Sequence, residues 1–182
     1  MWGEDPWGGY GANPYPGRLQ ERWNMTKDKL SGGFPYSEGI YEDLNKVICT
    51  RLYWDPDRPA RETVRDYAAF EFSPAVVNDV TKVVEIFERN HRRDQISERA
   101  VEACELLDRA EAKLTPQARR SWRWRLLRIR AAIDQELYRN RLGQGRQGVF
   151  RQAHEELLKI SHAENAWPML RPVPIPAVIE KN

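Results

Sequence analysis

Residues 73–90, SPAVVNDVTKVVEIFERN, decide the fold class. Val76, Val77, Val80, Val83, Val84 and Phe87 recur at the three- and four-residue spacing of one helical face. Ser73 stands where an N-cap belongs, and Pro74 fits the first helical turn, where no backbone N–H is needed. The spacing predicts a helix over about 74–92.

The same reading extends in both directions. Ile40, Leu44, Val47, Ile48 and Leu52 mark a helix over 40–53, which WDPDRP ends because proline cannot continue it. Val64, Tyr67, Ala68 and Phe72 mark one over 60–72. Val101, Cys104, Leu107 and Ala110 mark one over 96–114. Thr115-Pro116 repeats the cap-plus-proline start and opens the longest, over 116–141, with Trp122, Leu126, Ile129, Ile133 and Leu137. The turn GQGRQG precedes a last helix over 146–162. The expected class is all-α, a bundle of about six helices. No strand is strongly signalled, although GGFPYS, residues 32–37, could form a short one.

Glycine and proline divide the chain. Eight of the 11 glycines lie in residues 1–39, and none lies between 40 and 142. These residues punctuate structure. The expected organisation is a loop-rich aromatic arm (1–39), a helical bundle (40–162) and an extended tail (163–182), where RPVPIP suits polyproline II.

Bulk properties bound the function. The 182 residues suffice for one domain or slightly more. Twenty-nine basic residues nearly balance 27 acidic ones, which argues against a dedicated nucleic-acid binder. Cys49 and Cys104 form no disulfide framework and read as buried free thiols. No apolar run reaches the about 18 residues of a membrane span. The start, MWGEDPWGGYG, lacks the basic and apolar regions of a signal peptide, so a cytoplasmic location is expected if residue 1 is the natural start. His91, His154 and His162 are isolated, and no ligand-spaced motif occurs, so neither metal nor cofactor is expected.

Three stretches could carry chemistry. In YSEGIYED, Glu38 is framed by Tyr36, Tyr41 and a glycine. Aromatic rings stack on sugar faces, and glycosidases use carboxylates. The plainer alternative is that Glu38, Glu42 and Asp43 favour a helix N-terminus. In ARRSWRWRLLRIR, residues 118–130, six arginines and two tryptophans suit a surface that binds phosphate or an anionic glycan. The alternative there is a helix whose scattered arginines pair with glutamates of other helices. The arm, with Trp7 and Tyr10 among its aromatics, could stack sugars, pack on a partner, or wrap its own domain. Exposed apolar surface on that arm would favour a homo-oligomer.

The stretch YSEGIYEDLNKVICTRLYWDPDRPARETVRDYAAFEF, within residues 30–72, resembles the end of the catalytic barrel in large bacterial glycoside hydrolases. It is similar to the corresponding part of α-N-acetylglucosaminidase and α-glucuronidase-like proteins. The resemblance implies that GGFPYS is the last barrel strand, residues 40–53 the last barrel helix, and PARETVRDYAAFEF the start of a helical domain. It also implies that Glu38 is a catalytic carboxylate at the barrel's C-terminal face. Ser37 departs from the proline of the glucosaminidase pattern. A barrel needs about 250 residues, and only 37 precede Glu38. The expectation is a C-terminal closing domain, inactive alone, whose partner is the missing barrel. The alternative is a stand-alone interaction module that binds protein or carbohydrate through its aromatic arm, in which case deleting residues 1–30 would leave the bundle folded.

Overall fold

A computed structural model describes residues 11–35, 40–91, 95–140 and 147–160. The tail and most of the GQGRQG turn lie outside them. The described residues are all-α, with eight α-helices: α1 Pro16–Thr26, α2 Asp43–Trp54, α3 Ala60–Glu71, α4 Val77–Arg89, α5 Arg99–Glu111, α6 Pro116–Arg120, α7 Trp122–Arg139 and α8 Gln147–Ile160.

Helices α1 to α5 pack each on the next, as do α6 to α8, while α7 also packs on α5 and α1 on α3. The main core joins Ile48 of α2, Val64 of α3, Val80, Val84 and Phe87 of α4, Leu107 of α5 and Trp124 of α7. The predicted stripe of α4 is therefore its buried face. A second cluster sets Leu126, Ile129, Ile133 and Leu137 of α7 against Ala153 and Leu157 of α8. Both expected caps form: the Ser73 hydroxyl accepts from the Ala75 N–H, and the Thr115 hydroxyl from the Ala118 N–H.

Three expectations are corrected. First, the segment after Ser73 begins as a 3-10 turn, Pro74–Val76, before α4 starts. Second, the long helix over 116–141 is broken. Ser121 takes ψ 134°, which ends α6 and restarts the chain as α7. The break turns Trp124 into the core, edge-on to Phe72 at 5.3 Å, with its Nε1–H donating to Glu111. Third, residues 32–35 form no strand.

The arm holds a helix, and it is part of the core. Pro16 opens α1, and the carboxylate of Glu88 on α4 accepts from the Gly17 and Arg18 N–H groups at 3.0 and 2.9 Å. An acceptor there satisfies donors that a helix start cannot pair internally. Trp23 is 7% exposed, lies in the main cluster and donates to the Pro56 carbonyl. Its burial contributes about 1.5–3 kcal/mol.

Residues 11–15 lead into α1 as a strap laid across three helices and the Tyr41 turn. The Ala12 N–H donates to Leu126 O at 3.2 Å, and Arg130 donates to Ala12 O at 3.1 Å. The Asn13 N–H donates to Tyr41 O at 2.9 Å. The Asn45 side chain donates to Asn13 O and accepts from the Tyr15 N–H. His91 donates to Pro14 O at 2.8 Å. Gly11 makes this approach possible. Its φ is +155°, and a Cβ there would sit 2.8 Å from backbone atoms of Leu126 and Arg130.

Candidate functional site

Trp7, Tyr10, Tyr36 and Glu38 lie outside the described residues. Their anchors do not. The Asn13–Tyr41 bond fastens the chain just after the N-terminal aromatics to the chain just after Glu38. The bond joins residues 13 and 41 beside the start of α2.

Tyr41 was expected to be a stacking platform, yet it is only 5% exposed and packs in the α7–α8 cluster. Burial pushes its phenol up to about 12. The ring supports the junction from below and offers no free face to a sugar.

The polar part of the junction was not legible in the sequence. Asp43, the first residue of α2, accepts from Arg123 Nε and from the Tyr67 hydroxyl, both at 2.7 Å. Arg123 also reaches Glu71 at 3.5 Å and lies 4.3 Å over the Trp122 ring. Burial, then the charge of Asp43, raises the Tyr67 phenol above its ordinary range, so it stays a donor. Asp43 and Tyr67 are 24 positions apart, and Asp43 and Arg123 are 80 apart. The cluster ties α2 to α3 and α7. The cavity beside it holds about 30 Å³, between Pro14, Tyr41, Asp43, Tyr67, Trp122 and Arg123. That is room for about one water molecule, not a sugar ring. Among the described residues the junction is a rigid floor.

The strap is held by a buried charged network. Arg130 and Asp134 pair at 2.8 Å, and Asn90 donates to the other oxygen of Asp134 at 2.8 Å. His91 beside them is pushed down to about 4, by burial first and then by Arg130. Between the ordinary histidine value of 6.5 and about 4, the unfolded chain binds a proton that the folded chain refuses. Stability from this group is thus level above the unfolded value and falls as pH drops through that window. From about pH 7 to pH 5 the expected loss is about 2 kcal/mol. Urea midpoints at the two pH values should show it in the wild type, and a His91→Gln chain should lack that part of the slope.

Five of the six arginines of 118–130 take the plainer of their two readings, and Arg120 is exposed. Arg123 pairs with Asp43 and Glu71, Arg125 with Glu156, Arg128 with Asp108 and Glu111, and Arg130 with Asp134. Arg119 donates to the Leu114 carbonyl. These side chains hold helices together. Cys49 and Cys104 are free and half-buried, less enclosed than expected. Burial raises both thiols, Cys104 to about 11, so neither is an activated nucleophile. Among the described residues no group of three or more His, Cys, Asp or Glu could hold a metal. No described helix is long and apolar enough to cross a membrane.

No family model matches the chain, and neither a curated protein nor a solved structure is significantly similar to it.

Proposed function

We propose that this chain is the helical closing domain of a larger glycoside-hydrolase-like protein, buttressing a catalytic barrel and carrying no hydrolase activity alone. One observation carries the reading. Within the stretch that resembles a barrel end, one side is locked into the helical body while the other stays bare and apolar. Leu44, Ile48 and Leu52 of α2 are buried, and Asp43 is held by Arg123 and Tyr67. By contrast Phe34 is 90% exposed, Trp54 82% and Val47 39%. Large aromatics left open beside a packed helix mark a surface that meets a second body. Residues 11–26 of the arm are spent inside the domain's own packing, which leaves less of it for the alternative reading.

In this reading Glu38 belongs to the barrel's active site and is supplied by this chain. A Glu38→Gln substitution in the full-length hydrolase is expected to lower turnover of an aryl glycoside at least about a hundredfold. The isolated chain should hydrolyse none. Unchanged full-length activity would overturn the reading. So would an immunoblot of source cells showing only a lone species near 21.4 kDa.

A further inference from the structure

The described residues leave three buried side-chain polar atoms without a hydrogen-bond partner: Arg51 Nε, Arg58 Nε and Thr63 Oγ1. All three belong to one hairpin. Arg51 lies on α2, Arg58 in the connection and Thr63 on α3. Such atoms are costly and rare, so their grouping calls for a cause.

The hairpin's register places them on one seam. The Arg58 N–H donates to Asp55 O at its closed end, and Tyr67 bonds Asp43 at its open end. Arg51 and Thr63 thus both lie toward the closed end, three residues from the end of α2 and from the start of α3, and Thr63 is buried there. Val47, Arg51 and Trp54 follow at four and three residues, a single side of α2. The far side of α3 is taken by α4, where Arg61 meets Glu85 and Arg65 meets Asn78. Phe70, 87% exposed, follows by three residues on α3 the Tyr67 that bonds Asp43 of α2. The seam thus runs from Trp54 past Arg51 and Thr63 to Val47 and Phe70. Arg58 has Asp66 for its charge, whereas among the described residues the Arg51 side chain is given no ion pair or hydrogen bond.

We infer that this α2–α3 seam is a docking face, and that its occupant is a protein surface presenting a carboxylate between apolar side chains. Val47, Trp54 and Phe70 supply apolar area. A purely apolar partner would seal an unpaired guanidinium, which is strongly unfavourable. A carboxylate set among apolar groups takes the Arg51 fork in charge-assisted hydrogen bonds. The inference rests on the closing-domain reading for there being a second body, and adds what that body shows to Arg51.

The test is selection of a phage-displayed library of random peptides on the immobilised chain. Retained peptides should carry Asp or Glu flanked by apolar residues. Their affinity should fall more than about tenfold for Arg51→Met and for Trp54→Ser, with Arg51→Lys between. Both variants should keep the wild-type melting temperature, and Arg51→Met should equal or exceed it, because it removes a buried donor with no partner. The inference is overturned if no peptide is retained, if retained peptides lack acidic residues, or if Arg51→Met binds them unchanged. It is also overturned if sedimentation shows a dimer of the chain itself that Trp54→Ser dissolves, since a second copy is then the occupant. Arg51-dependent binding together with an active Glu38→Gln hydrolase would remove the barrel and keep the docking face. The opposite pair of results would do the reverse.

Discussion

An Asp134→Ala chain is expected to lose about 3–5 kcal/mol of stability, the cost of leaving a buried charge without its partner. Arg130 is 9% exposed and Asp134 2%. Removing the carboxylate strands the Arg130 guanidinium and also the Asn90 amide that donates to it. Natural domains hold only about 5–15 kcal/mol in total, so the change takes a large share. Urea denaturation at neutral pH measures it. The double variant Arg130→Met/Asp134→Leu should be much less damaged than Asp134→Ala, because no charge is left buried. A loss under about 1 kcal/mol for Asp134→Ala would mean that water reaches the guanidinium and that the pair is not a structural centre.

A chain shortened to begin at Lys27 is expected to lose cooperative unfolding altogether. That outcome opposes the one the sequence suggested for deleting the arm. Truncation removes Trp23 from the main core and uncovers Tyr41 and Leu126. It also deprives Arg130, Asn45 and His91 of the strap carbonyls they donate to. Each loss is worth about 1–3 kcal/mol, and together they approach the stability of a whole domain. Circular dichroism melts of the two chains compare them directly. A truncated chain that melts at the wild-type temperature would show the arm to be an accessory.

The sequence made the interior helices legible because their apolar residues are dense and periodic, as in Val80, Val83, Val84 and Phe87. It also showed the two caps, since Ser-Pro and Thr-Pro carry a local mechanism. It hid α1 because only Leu19 and Trp23 mark its inner side among glycines, prolines and charges. It hid the break at Ser121 because Trp122 and Trp124 both suit an uninterrupted helix, and only in space do they part, Trp124 into the main core and Trp122 half-buried against the second cluster. The junction was half visible. Glu38 and Tyr41 stood out locally, but Asp43, Tyr67 and Arg123 are ordinary helical residues until the fold brings them together. One signal went unused: Arg130 and Asp134 interrupt the side of α7 that also carries Leu127 and Ala131, an unusual place for a solvent-facing pair.

The strap has a consequence for how the chain is made. Ala12 finds its guanidinium 118 positions later, at Arg130. On the ribosome the N-terminal residues emerge first, while their seats on α7 emerge near the end. Domains assemble from contacts already outside the tunnel, and distant contacts close slowly. The Ala12 end of the strap must therefore wait until α7 has been released, whereas Trp23 can already settle against Tyr53 and Pro56. Within this domain the strap is made early and fastened late.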